Sequence, residues 1–407
     1  MMEKLIEDVL NGKVKMHELD NILKNSNSAT YVRRRVIEKL CNVELKHIGS
    51  YSIDFNDVVG KNCENTIGVV QIPLGIAGPL LINGEYAKGL YYIPLATTEG
   101  ALVASVNRGC KIVTDNGGVN VRVIKDFMSR APVFSFESIL DALEFLEWID
   151  KNFNDIKKIA ESTSRHAKLI DIEKYIMGNN VWLRFKFTTG DAMGMNMVTI
   201  AVDRAVRYII ENFPKARLVA LSGNMCVDKK PNALNLILGR GKTVIAEARI
   251  SRKYLEEKFN IKPEDVVDIV HRKNLLGSAY AASYGFNAHF ANIIAAIFIA
   301  TGQDVAQIVE SSMGFTWAEV DREGNLYFTI TLPSLEVGTV GGGTRLPTQQ
   351  EALKILGVAG SGNPPGTNAL KFAEIIGAAV LAGELNLLIA FARNELARAH
   401  ERLGRGK

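Results

Sequence analysis

Apolar positions recur with two different periods along this chain, and the switch between them marks its organisation. In residues 1–63, Leu5, Val9, Leu19, Leu23, Val36 and Leu40 recur near helical spacing among charged residues, which predicts a small N-terminal helical domain. From Glu64 the texture becomes apolar and rich in Gly and Pro (ENTIGVVQIPLGIAGPL, 64–80), a pattern of short buried strands and turns. ATTEGALVASVNRGCKIVTDNGG (96–118) predicts a helix capped by Thr97 or Thr98, with Glu99 in its first turn and Asn116-Gly117-Gly118 at its end. Residues 119–221 then alternate between strands and helices. VNVRVI (119–124), VWLRFKF (181–187) and RLVAL (217–221) read as strands. Residues 135–153 read as a helix with Ile139, Leu140, Leu143, Leu146 and Ile149 along one face. TTGDAMG (188–194) is a turn leading into a helix that runs to Phe213. This β-α-β…β-α-β order predicts a ferredoxin-like unit inserted into a larger domain. The larger domain would cover 64–118 and 222–407 and close with a helix over about 383–404, striped by Leu385, Leu388, Ile389, Ala392, Leu396 and Ala399. The fold class is therefore α+β.

Composition narrows the classes. The 407 residues are 47% apolar and 23% charged, ordinary globular usage long enough for two or three domains of ~150 residues. A formal charge of +4 spread over that length is no nucleic-acid footprint. The most apolar run, around 293–301, is too short to span a bilayer, and the stretch 375–392 is interrupted by Glu384 and Asn386. No apolar signal core opens the chain. Cys41, Cys63, Cys110 and Cys226 have no metal-ligand spacing, so the expectation is reduced thiols, no metal and a cytoplasmic enzyme.

The nucleotide motifs are incomplete. GRGKT (239–243) ends like a phosphate loop, but Leu236 stands where its first glycine belongs, and no GxGxxG opens a βαβ unit. GDAMGMNM (190–197) could present backbone N–H groups to a phosphate, or could be a tight turn with Asp191 as N-cap. GTVGGGT (338–344) could cradle an anionic group, or be a strand bulge and turn. Glu99 beside a helix start would be a stabilised carboxylate unless burial raises its pKa. Lys229 in DKKP (228–231) could be a surface ion-pair former or a cation for a developing oxyanion. Asp304 in TGQDVAQ (301–307) follows the most apolar helix and would need a partner such as Lys229. His289 reads as a hydrogen-bonded wall residue, and His400 as a residue of the last helix.

Taken in order, these strings resemble the hydroxymethylglutaryl-coenzyme A (HMG-CoA) reductase family, class I type, in its soluble archaeal form. The resemblance covers about 64–400 and also includes MSRAPV (128–133), STSRHAKL (162–169), SGNMCVDKKP (222–231), KNLLGS (273–278) and NAHFANI (287–293). It implies reduction of HMG-CoA to mevalonate and CoA with two hydrides from NADPH. Lys229 matches the family's oxyanion cation, Glu99 its proton donor, Asp304 the aspartate that bonds both, and His400 the donor to the departing thiolate. Arg130, Ser222, Lys230, Lys273 and Asn292 match residues around the hydroxymethylglutaryl group, and Ser105, Asn107 and Arg108 the CoA side. Asp191, Met193, Gly194 and Asn196 match the nicotinamide-cofactor loop, and Ser164 and Arg165 the residues facing the 2′-phosphate. The resemblance makes 119–221 the cofactor domain and implies a homodimer or dimer of dimers with active sites between subunits. The nearest alternative is a same-fold, NAD-linked enzyme oxidising mevalonate; an arginine at position 165 argues for NADPH.

Overall fold

The computed structural model describes residues 2–393. Helices Met2–Leu10, Leu19–Leu23 and Ser26–Cys41 bury Ile6, Leu19, Ala29, Val32 and Val36 against one another. Asn25 starts the third of these by accepting from the Ser28 amide at 2.9 Å. Leu40, expected on the apolar stripe, faces solvent.

Two sheets follow. β1 (Leu74–Asn83) and β2 (Lys88–Ala96) form an antiparallel pair, and the end of β1 runs parallel to the start of β3 (Val119–Arg130). β4 is Val133–Ser135, β5 Lys168–Met177, β6 Asn180–Thr188 and β7 Arg217–Ala220. β8 is Gly241–Ile250, β9 Gly285–Phe286, β10 Gly314–Val320 and β11 Leu326–Leu335. The large sheet runs β3-β8-β11-β10-β9. β3 belongs to both sheets: its first part pairs with β8, and Met128–Arg130 pairs with β6. The end of β3 and β4 together form one strand of the second sheet, between β7 and β6, with β5 on the far side of β6. Helices Ile139–Lys151, Phe153–Glu161 and Met195–Asn212 connect these strands. The order is βαββαβ in an antiparallel sheet; the sequence reading has the strands at 181–187 and 217–221 but not β5, and its first strand, 119–124, lies in the large sheet. Val119 and Val121, however, pack in the core of the large sheet, whereas Met128 packs in that of the small one.

Helices Ile139–Lys151 and Thr367–Ala392 differ from the sequence reading. In Ile139–Lys151 the buried face is Ala142, Phe145 and Ile149, while Ile139, Leu140 and Leu143 are exposed. The helix is rotated because Phe145 packs its ring against Phe134, Phe136 and Phe213 at 5.0–5.3 Å. The last described helix is Thr367–Ala392 and starts sixteen residues before the expected 383. It is apolar nearly all round, so it has no stripe to read, and it runs through the core against β3, β8 and β11. Among the described helices it alone is long and apolar enough to cross a membrane by length and composition, yet most of it is buried in protein. Its two glutamates are fully satisfied. Glu374 accepts from the amides of Glu85, Tyr86 and Ala87 at 2.7–2.9 Å. Glu384 accepts from Thr316 Oγ1, Asn274 Nδ2 and the amides of Ala288 and His289 at 2.6–3.1 Å. Helix Leu102–Asp115 crosses this core helix at Gly109, where an added Cβ would fall 1.9 Å from the Ala382 carbonyl oxygen.

Candidate functional site

The loop between β7 and helix Ala233–Leu238 holds three non-glycine residues at positive φ: Asn224 (64°), Val227 (49°) and Lys229 (60°). For a β-branched valine this backbone is costly, and such strain persists only where surrounding structure imposes it. The restraints are visible. Ser222 Oγ accepts from Arg130 Nη1 at 2.8 Å, Trp182 Nε1 donates to the Gly223 carbonyl at 2.8 Å, and Asn235 Nδ2 donates to the Cys226 carbonyl at 3.1 Å. The loop presents Lys229 Nζ to Asp304 Oδ2 at 2.8 Å. That hydrogen bond, working against partial burial, holds the Lys229 ammonium above its ordinary pKa. Asp304 is itself oriented, because its Oδ1 accepts from the Ala306 amide at 3.1 Å.

Beneath the loop lies Arg240, fully buried. Its Nη1 contacts Asp228 at 3.1 Å, Glu310 at 3.3 Å and Glu336 at 2.5 Å. Its Nη2 reaches the Ser129 carbonyl at 3.4 Å and Met195 Sδ at 2.8 Å. Asp228, Glu310 and Glu336 are close enough together to suit a cation, and the guanidinium already stands among them. Burial works to raise the Asp228 carboxyl, but Arg240, Gln307, Arg130 and Lys229 outweigh it and hold it below the usual range. Burial pushes Glu336 the other way, well above the usual carboxylate range; Glu310 and Asp228 add to this and Arg240 opposes it.

The two glycine-dense stretches come together beside the lysine. Ala192 bridges to Val340, and the Thr339 amide donates to the Asp191 carbonyl at 2.8 Å. An added Cβ at Gly338 would lie 2.4 Å from the Met193 nitrogen, so only glycine lets these backbones meet. The Gly338 amide donates to Gln303 Oε1 at 2.9 Å, which joins both stretches to the segment bearing Asp304. Gly190, Gly341 and Gly342 all have positive φ and open space where a side chain would project. Asp191 does not cap the helix that follows it; Gly194 holds that position. Its buried carboxylate instead accepts from the amides of Gly362, Gly366 and Ala369 at 2.7–3.0 Å, fixing the entry to helix Thr367–Ala392. Met193 is half-buried and Asn196 exposed at the same junction.

Glu99 precedes helix Leu102–Asp115 rather than lying in its first turn, because the chain enters that helix through Ala101 at φ 73°. It is exposed, and Asn292 Nδ2 lies 3.4 Å from its Oε1. Asn292 in turn sits 3.5 Å from His289 Nδ1, and His289 Nε2 meets the Gly383 carbonyl at 2.9 Å. Among the described residues no ion pair joins Glu99 to Lys229. Lys230 turns back to the Asp228 carbonyl at 3.1 Å. Lys273 lies 5.3 Å from the Phe391 ring, and burial lowers its pKa against the opposing pull of Glu384. Ser105 Oγ accepts from Asn386 at 2.9 Å, Asn107 Oδ1 accepts from the Gly78 amide at 2.9 Å, and Arg108 is exposed. Ser164 and Arg165 line a cavity of about 540 Å³ with Glu161, Ser162, Thr163, His166 and Lys168. There Glu161 is engaged by Lys157 and Lys168 at 3.8 and 3.6 Å, while Arg165 makes no ion pair among the described residues. His400 lies outside the described residues.

Sequence reasoning missed Arg240, Glu310, Glu336 and Asn235. Arg240 was visible only inside a failed phosphate-loop motif; the usable signal was a charge directly flanking an apolar strand, Arg240 before β8 and Glu336 after β11, which must be paired if buried.

Comparison with known proteins places these residues in context. A family model described as hydroxymethylglutaryl-coenzyme A reductase matches residues 29–405. The 3-hydroxy-3-methylglutaryl-coenzyme A reductase of Pyrococcus abyssi is 58% identical over 99% of this chain and 100% of its own length. The enzyme of the same name from Methanocaldococcus jannaschii is 55% identical over 98% of each chain. A class II 3-hydroxy-3-methylglutaryl-CoA reductase from Streptococcus pneumoniae, solved bound to NADPH, superposes with a TM-score of 0.62 at 21% identity. It covers 88% of this chain and 96% of its own, a likeness of fold.

Proposed function

The chain belongs to the hydroxymethylglutaryl-coenzyme A reductase family, oxidoreductases that reduce HMG-CoA, and on that premise we propose that it converts (S)-HMG-CoA to (R)-mevalonate and CoA with two NADPH, the first committed step of mevalonate and isoprenoid synthesis. The observation that carries this reading is the Lys229–Asp304 pair, 2.8 Å apart, at the meeting point of the two glycine-dense stretches.

NADPH, when bound, supplies a hydride to the thioester carbonyl and, from a second molecule, to the aldehyde. The residues present fit it: Gly190, Gly341 and Gly342 leave open space beside the loop 190–194, and Arg165 with Ser164 offers a cation and a hydroxyl to a phosphate. Met193, Gly194 and Asn196 frame the entrance of helix Met195–Asn212, and Asp191 ties the loop before it to the start of helix Thr367–Ala392.

Each carbonyl oxygen gains negative charge as it is reduced. Lys229 Nζ stabilises that oxygen, and Asp304 keeps the ammonium charged and aimed. The first reduction gives a hemithioacetal, whose collapse releases the CoA thiolate; His400 protonates it before it can re-attack the aldehyde. Glu99 delivers the proton to the final alkoxide, so two hydrides and two protons balance the four-electron reduction. Arg130 and Ser222, already 2.8 Å apart, with Lys230, Lys273 and Asn292, receive the hydroxymethylglutaryl group. Ser105, Asn107 and Arg108 face CoA.

The working unit is a homodimer or dimer of dimers. The β1–β2 region exposes Val70, Leu74, Ile76, Leu90 and Tyr92, an apolar surface suited to a second copy, and Glu99 follows directly after β2. Lys229→Ala should lower kcat by about 10²–10³-fold while HMG-CoA binding survives in part. Near-normal turnover would remove Lys229 from the oxyanion role.

A further inference from the structure

The buried cluster around Arg240 has no part in the chemistry above, yet it ties together four segments that meet around Lys229. Arg240 reaches Asp228 beside Lys229, Glu310 just after the Asp304 turn, Glu336 two residues before Gly338, and Met195 at the start of the cofactor-loop helix. We propose that Glu310, held by Arg240 and Asn235, is a positioning residue for Lys229, its carboxylate clamping the lysine's backbone N–H so that the loop keeps its left-handed turn and aims Nζ at Asp304.

Three observations support it. The Lys229 amide donates directly to Glu310 Oε1. The other oxygen of that carboxylate is fixed by Asn235 Nδ2 at 2.9 Å, and Asn235 is anchored in turn by Arg184 Nη2 at 3.1 Å. Lys229 also sits at φ 60° with its side chain 42% exposed, so its own packing does not impose that backbone. A left-handed non-glycine residue relaxes to an ordinary conformation unless a partner holds it. The composition of the cluster points the same way. One guanidinium against three carboxylates is a poor device for stability alone, since an apolar cluster of the same volume would serve as well. Its geometry, by contrast, fixes four separate segments relative to one another.

The inference rests on the reading of Lys229 as the cation at the reacting carbonyl, and two substitutions separate reach from charge. Glu310→Asp keeps the charge beside Arg240 but shortens the side chain by one methylene, withdrawing the acceptor from the Lys229 amide. Glu310→Gln keeps the reach, leaving Oε1 to accept from the Lys229 amide, and gives up the charge together with the bond from Asn235, which would meet the Nε2 donor. Steady-state kinetics of the full-length enzyme with HMG-CoA and NADPH, each variant held well below its melting temperature, provide the readout. Glu310→Asp is expected to lower kcat by about 10–100-fold with the KM for HMG-CoA little changed, the scale of a ~1 Å misplacement at a reacting centre. Glu310→Gln is expected to recover most of that loss even where it melts earlier. A kcat for Glu310→Asp equal to wild type, or a Gln variant that falls as far as the Asp variant, would overturn the proposal. Lys229→Ala runs alongside. If it stays active, the reading of Lys229 itself fails; if it is dead while Glu310→Asp is normal, only the positioning role fails.

Discussion

At the scale of single residues, the buried carboxyl of Glu336 makes a pH-dependent contribution whose direction the structure sets. Burial, with Glu310 and Asp228 nearby and Arg240 opposing, raises its folded-state pKa well above 4.5. The folded chain therefore holds a proton that the unfolded chain has released, and stability falls as pH rises from about 4.5 through the folded pKa. Glu336→Gln should remove that slope, so that the melting temperature of the variant gains on wild type between pH 5 and pH 8. Parallel curves would show that Glu336 is ionised in the fold. The candidate residues were named from motif strings, and the structure brings Lys229 to Asp304, Arg130 to Ser222 and Glu99 to Asn292. What was not legible is how they are held. Arg240 and Glu310 are 70 positions apart, and no local pattern reports that one will be buried against the other. Asp191 likewise read as a local cap, because nothing nearby in sequence shows that its carboxylate ends on amides 171–178 residues away.

At the scale of elements, periodicity found β6, β7 and the start of β3, left β5, β8, β10 and β11 unread, and failed where burial is uniform or where two faces compete. VWLRFKF alternates and is β6. Helix Thr367–Ala392 is buried on nearly every side, so its start could not be read from a stripe. Helix Ile139–Lys151 offered two apolar faces, and the aromatic cluster around Phe145 selected the one containing Phe145 and Ile149. The crossing of helices Leu102–Asp115 and Thr367–Ala392 depends on Gly109, since an added Cβ would overlap the Ala382 carbonyl. Gly109→Ala should cost about 1–3 kcal/mol or more, by the overpacking penalty of a filled core. The midpoint of denaturant unfolding checks this, and an unchanged midpoint would mean that the two helices separate at little cost.

At the scale of the whole molecule, three cores divide the described chain, and the site stands where the small sheet's loop 190–194 meets the large domain's 301–304 and 338–343. Glu99 makes no ion pair with Lys229 within this chain, while the apolar surface around β1 and β2 lies just before it. The proposed sharing of active sites between subunits would account for both. Glu99→Gln and Lys229→Ala subunits, each inactive alone, should then recover part of the activity when mixed and reassociated, because one shared site regains both residues. No recovery from demonstrably mixed oligomers would place both residues in one chain's site. The reaction itself is tested most directly by supplying HMG-CoA with NADPH or with NADH and quantifying cofactor consumed, mevalonate and free CoA. The account predicts two NADPH oxidised per mevalonate and per CoA released, with NADH a poor substitute because Arg165 has no phosphate to engage. No mevalonate from folded protein with either cofactor would contradict the account.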